Sequence, residues 1–588
     1  MKQFLKTVLA CIVAIVACSI VNTFCMLMVI AILKSSYNSD SGHKHIKKGS
    51  VLEITLSENI SDNPSQPPVS ASLFTGRVSV NRQMALLDVV TAIETAATDN
   101  RIEAIYLNID TPLSIGIASL SEIRKALSLF ASSGKPVISY ADSYSQGSYY
   151  LCSVSDHIYL NPIGSLEWQG MASEVIFYKG LLDKTDVHPQ IIRHGRYKSA
   201  IEPFTETDMS QESRHQSEVL INSIWGNIVS EISASRDIDS ALLQSYADRL
   251  SIYSPQKGVE TGMIDSLLYR DQMNDMLASM LGENRILIPF ADYVDLCSAS
   301  SSAAGNRIEV IYAEGDIVDG TGQRGEVGSQ SLCEALAEAC DDDKVKSVVL
   351  RINSPGGSAM AADIIARQVS LLQKEKPVVV SMGDYAASGG YYIAAPADII
   401  CADRATITGS IGVFGVSFDI GQALEDNLGV THSTVKSNAY ADMGSMLRPI
   451  DRYEQKRLQS SVDRTYDRFV DVVAEGRNLS RDYVDSIAQG RVWSGADAAD
   501  IGLVDTYGGL SEAVLLAADA AGLDKYTITT RSNSQRHINM LLRLFADNAQ
   551  TADDGIALFM QRTGERLRRM ARANNKVMAL MPFEIKAL

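Results

Sequence analysis

One pattern of residues occurs twice in this chain. From Arg101 it reads RIEAIYLNIDTPLS and then KPVISYADSYSQGSYYLCSVSDHIYLNP; from Lys344 it reads KVKSVVLRINSPGG and then KPVVVSMGDYAASGGYYIAAPADIICAD. A repeat of this length restricts the architecture to two copies of one fold unit. The copies differ in the chemistry they carry. When Tyr149 and Tyr150 are laid on Tyr391 and Tyr392, Gln146 falls on Ser388. Further on, QIIRHGRYKSA falls on STVKSNAYADM, which lays Tyr197 on Tyr440 and Lys198 on Ala441. One copy keeps a candidate nucleophile and the other a candidate base, so the pair points to one composite site in which Lys198 activates Ser388.

With 588 residues the chain exceeds a single ordinary core, and two domains of roughly 200 to 250 residues are expected, as the repeat requires. Hydrophobic residues make up 46% and charged residues 21%, the balance of a folded globular chain. A formal charge of −17 speaks against a nucleic-acid partner, because phosphate contacts need a basic face. The eight cysteines are no disulfide framework: Cys11, Cys18 and Cys25 sit in an apolar run, and Cys152, Cys297, Cys333, Cys340 and Cys401 are scattered. The eight histidines are dispersed, and no C-x-x-C or H-E-x-x-H spacing occurs, so neither a metal nor a cofactor is expected.

Val8 to Leu33 carries no charge and is longer than the roughly 20 residues that cross a bilayer. No small-residue cleavage site precedes Lys34, which favours a retained N-terminal transmembrane helix over a cleaved signal. Lys2 and Lys6 oppose Lys34, Lys44, Lys47 and Lys48, so the charge rule alone leaves the orientation open.

Strand and helix alternate along both copies. SVLEITLS from Ser50 and RIEVIYAEGDIV from Arg307 read as opening strands, and MALLDVVTAIETAATD and SLCEALAEACDDD as the helices that follow. Then come AIYLNID and SVVLRIN, a further helix, and a strand after each Lys-Pro at Lys135 and Lys376. This order predicts an α/β unit with covered, largely parallel sheets. The copies also match late, SPQKGVETGMID from Ser254 on SGADAADIGLVD from Ser494, and SASSSAAG from Ser298 reads as the linker between them. The expected organisation is an anchor at 1–34, a polar tether at 35–48, a first repeat at 49–297, a linker at 298–305, a second repeat at 306–521 and a C-terminal extension at 522–588. That extension ends in a basic segment from Gln561, read either as a contact for acidic lipid or a neighbouring subunit, or as a solvated helix with an apolar stripe.

In GDYAASGGYYIAA, Ser388 falls between a β-branched run and an apolar helical one. Such a strand-to-helix turn exposes the side chain and leaves the Gly389 N–H as a donor to an oxyanion; the plain alternative is that Ser388 caps the helix. SPGG, from Ser354 to Gly357, offers a second donor from Gly356 or Gly357, or is an ordinary Pro-Gly turn. The first copy has TPLS there, lacking the glycines as it lacks the serine. His432 is the only histidine between Ser388 and Ala521 and has no triad-like context, which leaves Lys198 as base. A lysine acts so near neutral pH only if burial or a neighbouring cation disfavours its ammonium form, and Arg193 and Arg196 lie close in sequence.

These motifs together resemble the long, tandem form of the signal peptide peptidase A family, bacterial Ser-Lys proteases of the Clp protease and crotonase fold group. GDYAASGGYYIAA resembles the family's nucleophile motif, GRYKSAIEPF its base motif and SPGG its oxyanion loop, over about Ser50 to Ala521 with the anchor and the MPFEI tail. The resemblance implies a tandem Clp/crotonase-like spiral fold, Ser388 as nucleophile, Lys198 as general base, and Ser410 of TGSIGVFG as the residue that holds the lysine. It also implies a single-pass protein of the bacterial cytoplasmic membrane with its body on the periplasmic side, a bowl-shaped homo-oligomer, a tetramer for the tandem form, and peptide substrates such as spent signal peptides. Two rival functions remain at this level: a crotonase-type acyl-CoA enzyme, and a non-enzymatic membrane scaffold of the same fold.

Overall fold

The computed structural model describes residues 46–56, 59–63, 69–72, 77–80, 83–109, 115–283, 285–299, 305–323, 325–531 and 577–581. The apolar run Val8 to Leu33 lies outside them, as does TPLS at 111–114. Among the described residues no helix is long and apolar enough to cross a membrane.

The β-branched runs form two sheets. The first has six parallel strands in the order Ser266–Leu267, His157–Leu160, Val137–Ala141, Ile102–Asn108, Ser50–Ile54, Ile286–Pro289. The second has eight strands, and its central order repeats the first: Val378–Ala387, Val345–Ser354, Arg307–Glu314, Thr527–Arg531, all parallel. Ile399–Ala402 and Thr506–Tyr507 extend it as His157–Leu160 and Ser266–Leu267 extend the first. Such strands read as unbroken apolar runs because both faces are covered: Val348, Val349, Leu350 and Ile352 are all fully buried. The edge strand Thr527–Arg531 lies past Ala521 and takes the place that Ile286–Pro289 has in the first sheet, so the duplicated unit continues beyond the expected end of the second repeat. Before the linker, a helix runs through Phe290–Ala299 and includes its first two residues, Ser298 and Ala299.

Small contacts are duplicated as well. The Lys135 ammonium donates to the carbonyls of Ala96 (2.7 Å) and Asp99 (2.8 Å), closing the helix Leu86–Thr98. The Lys376 ammonium does the same to Ala339 (2.9 Å) and Asp342 (2.7 Å) after Ser329–Asp341. This explains the Lys-Pro pairs: a cation binds orphan helix carbonyls just before each strand. Tyr149 Oη donates to Met263 O and Tyr391 Oη to Leu503 O, each at 2.9 Å.

Two features join the copies. A third sheet has the order Glu326–Gly328, Asp316–Val318, Gly356–Ser358, Val577–Leu580, Val413–Asp419, His188–His194 and draws strands from both. In it His188–His194 of the first copy pairs antiparallel with Val413–Asp419 of the second over its whole length. The second feature is a buried polar junction. Arg351, fully buried, lies 2.7 Å from Asp62 and 2.8 Å from Glu122. Asp384 accepts from the N–H groups of Ala118 (2.9 Å) and Ser119 (3.2 Å) at the start of the helix Ile117–Ser132, where a carboxylate is favoured. The junction is buried, and that burial pushes the Glu122 carboxyl up to about 7 against the pull of Arg351. Removing the shared cation strands two buried carboxylates. Arg351→Ala is therefore expected to lower stability by about 3–5 kcal/mol, read as a fall in the urea midpoint of unfolding; an unchanged midpoint would mean that these charges remain hydrated.

Candidate active site

Ser388 ends the strand Val378–Ala387 and precedes the helix Gly389–Ala394. Its backbone is left-handed, φ 55°, held by its N–H donating to Gly409 O at 2.8 Å and by Tyr392 N–H donating to Ser388 O at 2.8 Å. A non-glycine residue in that region is strained and persists only where its surroundings fix it. The side chain does not cap the helix. It instead faces Lys198, whose Nζ donates to Ser388 Oγ at 2.7 Å.

Lys198 follows the crossover strand His188–His194, and this pairing brings a first-copy residue to a second-copy turn. Its Nζ also donates to Ser410 Oγ (2.9 Å) and Ser410 O (3.0 Å), so three oxygens surround the amine. Ser410 is itself left-handed, φ 51°, with its N–H on Arg491 O at 2.7 Å. Lys198, Ser388 and Ser410 are all 0% exposed. Burial holds the Lys198 ammonium well below the usual lysine range. Desolvation is thus the cause, and neither Arg193 nor Arg196 is needed for it. His432 is exposed, away from this cluster.

The glycines of SPGG stand against the same turn. Pro355 leads into a short strand, Gly356–Ser358, and Gly356 has φ +105°, open only to glycine at low cost. A Cβ on Gly356 would lie 2.8 Å from Gly389 N, and one on Gly389 would lie 3.1 Å from Gly357 N. The backbones of Gly356, Gly357 and Gly389 therefore converge beside Ser388.

The structure departs from the sequence expectation on exposure. The turn was expected to leave Ser388 open, yet it is fully buried, and the C-terminal strand Val577–Leu580 lies beside the neighbouring Gly356–Ser358. This described part of the basic C-terminal segment is a strand in a sheet, neither a solvated helix nor a free lipid-facing element. At the first copy's corresponding turn, Gln146 is tied down: its Oε1 accepts from Gln169 N and Gly170 N, both at 2.9 Å.

Three contributors were not picked out from sequence. Gln216 bridges the lysine loop to the second copy, its Nε2 donating to Tyr197 O (3.0 Å) and Ser199 Oγ (2.9 Å) and its Oε1 accepting from Val492 N (3.2 Å). Gly412 O lies 3.4 Å from Ser388 Oγ. Gly490, φ +79°, backs directly onto Lys198: a Cβ there would lie 2.7 Å from Lys198 N and 2.8 Å from Lys198 Cβ. The repeat held a signal for it. The register of the late match sets Gly490 on Leu250, which is also left-handed (φ 49°), so the turn tolerates a side chain in the copy where no lysine lies behind it.

Comparison with known proteins agrees with the duplication. The model of peptidase family S49 matches residues 130–282 and again residues 370–524. The chain belongs to peptidase family S49. It is 36% identical over 506 residues to Protease 4 of Haemophilus influenzae, covering 83% of this chain and 82% of that one. It is 34% identical over 516 residues to Protease 4 of Salmonella typhi, covering 85% and 83%. The chloroplastic serine protease SPPA of Arabidopsis thaliana is 32% identical over 491 residues, covering 82% of this chain and 70% of that one. The chain is accordingly a serine peptidase of that family, with its S49 domain in tandem.

Gly490→Ala should displace Lys198 from Ser388 and lower kcat by about a hundredfold, the usual effect of a misplacement near 1 Å. Gly502→Ala serves as control: its φ of +76° carries the same backbone strain, but its nearest atom is a Leu479 methyl at 3.7 Å. Peptide hydrolysis by the two variants beside the wild type checks this, and equal rates would show that Gly490 does not position the lysine.

Proposed function

We propose that Ser388 and Lys198 form a Ser-Lys dyad that hydrolyses peptide bonds through an acyl-enzyme. The observation that carries this reading is the 2.7 Å contact between a buried amine and a serine hydroxyl. Lys198 as neutral amine takes the Ser388 proton as Oγ adds to the scissile carbonyl. The oxyanion rests on N–H groups of Gly389 and of Gly356 or Gly357, a fixed set of dipoles in a dry cleft. The Lys198 ammonium then protonates the leaving amine, and a water activated by Lys198 hydrolyses the ester. Ser410 holds the amine in line from its own hydroxyl and carbonyl.

The same reading takes the two copies as Clp/crotonase-like spiral units, the first near 49–297 and the second from 306 past its expected end at 521 through the edge strand Thr527–Arg531, and Val8 to Leu33 as a single-pass anchor. It sets the body on the periplasmic side of a bacterial cytoplasmic membrane. The assembly is a homotetramer whose chamber admits extended peptides, among them spent signal peptides and other fragments of membrane and envelope proteins. The names of the relatives, proteases of 32–36% identity over most of the chain, support the activity.

Ser388→Ala and Lys198→Ala are each expected to lower turnover of a fluorogenic peptide panel by at least about a thousandfold, because the two side chains act as a unit. In the wild type the rate should fall as pH drops through the Lys198 ionisation, since the ammonium cannot accept the serine proton. That ionisation lies below the ordinary lysine range, so activity persists toward neutral pH. Turnover surviving in Lys198→Ala, with assembly checked by size, would remove the lysine from the role of base.

A further inference from the structure

The turn that bears Lys198 has little hold of its own. The Lys198 N–H reaches Gly195 O at 3.4 Å, long for such a contact, and its ψ of 73° belongs to neither helix nor strand. A single side chain from elsewhere grips the residues on both sides of it. Gln216, 1% exposed, donates from Nε2 to Tyr197 O at 3.0 Å and to Ser199 Oγ at 2.9 Å. Lys198 is the residue between those two contacts.

The same amide reaches the second copy. Its Oε1 accepts from Val492 N–H at 3.2 Å, on the short strand Val492–Ser494. That strand pairs antiparallel with Ile407–Gly409, with Val492 opposite Gly409. Gly409 O accepts the Ser388 N–H at 2.8 Å, and Arg491 O, just before Val492, accepts the Ser410 N–H at 2.7 Å. Val492 is therefore a backbone neighbour of the segments that seat the nucleophile and the lysine's partner. A side-chain amide carries N–H donors and a carbonyl acceptor on one planar group, the set that Tyr197, Ser199 and Val492 require.

Gln216 is a fixed point because its helix is fixed. Ser213, Gln216, Ser217, Leu220 and Ile224 form a buried stripe of Gln211–Arg236. Ser210 caps the start of that helix, and its N–H and hydroxyl donate to the Glu202 carboxylate, just past Lys198, at 3.1 and 2.6 Å. About two turns after Gln216, the Ser223 hydroxyl meets Ser494 Oγ at 2.8 Å. That second tie joins the same helix to the same strand without touching the lysine turn.

We propose that Gln216 is a positioning residue for the reaction: through Tyr197, Ser199 and Val492 it sets the amine of Lys198 in register with Ser388 and Ser410. The inference rests on the Ser-Lys reading above. Without the amide, the lysine turn is released on both sides and the Nζ to Oγ contact lengthens. Water then reaches an amine whose lowered basicity comes from burial. Proton transfer slows while the backbones of Gly356, Gly357 and Gly389, held by other elements, stay in place.

The test is peptide hydrolysis by the full chain, purified in detergent as wild type, Gln216→Met, Ser223→Ala and Lys198→Ala. The kcat, KM, pH profile of kcat, urea midpoint and assembly size are measured on the same samples. Methionine keeps the length of the side chain and removes its hydrogen bonds. Gln216→Met is expected to lower kcat by at least about tenfold at unchanged KM, as a misplaced base does. The acid limb of its profile should also move to higher pH, because a hydrated lysine returns toward its ordinary range. Arg196 and Arg491, whose guanidiniums lie 5.8 and 5.5 Å from the Tyr197 ring centre, and Glu202, tied to Ser210, are common to wild type and variant. Ser223→Ala should keep the wild-type kcat and profile, and an equal fall there would assign the effect to the helix contact as a whole and overturn the inference. The position of the acid limb does not depend on how much enzyme is folded. Gln216→Met with wild-type kcat, or with a loss that follows its unfolded fraction and an unmoved acid limb, overturns the inference and leaves the dyad standing. A Gln216→Met chain that does not assemble assigns the residue to the fold and overturns it as well. Turnover that survives in Lys198→Ala overturns the dyad and this inference together.

Discussion

The antiparallel pairing of His188–His194 with Val413–Asp419 is the constraint from which the rest of the site follows. Lys198 belongs to the first copy and Ser388 to the second, and they are separated by 190 positions in the chain. Only a rigid exchange of strands between the copies can hold an amine within hydrogen-bond distance of that hydroxyl. The ladder fixes the register, and Tyr197 N–H on Gln489 O at 2.8 Å fixes the turn after it. Lys198 then lies between Ser410 and the bare backbone of Gly490, fully buried. Its lowered basicity is a consequence of that placement, since burial is the cause of the shift.

The polar junction around Arg351 serves the same constraint from a different side. A composite site requires that the copies not drift, and an apolar interface alone tolerates sliding. Fixed charges do not slide easily: Asp384 is held at the start of Ile117–Ser132, and Leu510 N–H donates to Glu122 at 2.7 Å. Asp384 lies on the strand that ends in Ser388. The strand ahead of Ser388 and the first copy's helix are therefore registered by a carboxylate shortly before Ser388, while the third sheet registers the loop that carries Lys198.

Much of this was legible in the sequence because duplication supplies an internal comparison. Alternating strands and helices, the Lys-Pro starts of Val137–Ala141 and Val378–Ala387, and the complementary loss of Ser388 and Lys198 could all be read from one copy against the other. What could not be read was long-range and carried by backbone. Nothing in VMAL at Val577–Leu580 says that this strand will fill a slot between Gly356–Ser358 and Val413–Asp419, because strand addition is specified by edges elsewhere. The burial of Ser388 was missed for the same reason. Gln216 was missed because a single amide in a long helix, Gln211–Arg236, has no pattern until the fold brings Tyr197, Ser199 and Val492 to it.

The first copy shows physically why the chain has one such constellation and not two. The register that lays Tyr149 on Tyr391 also lays Gln146 on Ser388, Trp168 on Ser410 and Gly170 on Gly412. Gln146 uses its amide to tie Gln169 and Gly170, filling with hydrogen bonds the space that an amine occupies in the second copy. Trp168 fills what remains, edge-on to Tyr149 at 6.1 Å and tilted on Trp225 at 4.7 Å, with its Nε1 donating to Leu243 O at 2.9 Å. The residue laid on Lys198, Ala441, is exposed and lies in a loop. A serine restored at 146 would lie toward the backbone of Gln169 and Gly170, and the register supplies Ala441 rather than a lysine as its base. That position is closed by hydrogen bonds in the first copy, whose lysine-bearing loop lies instead against Ser388 of the second.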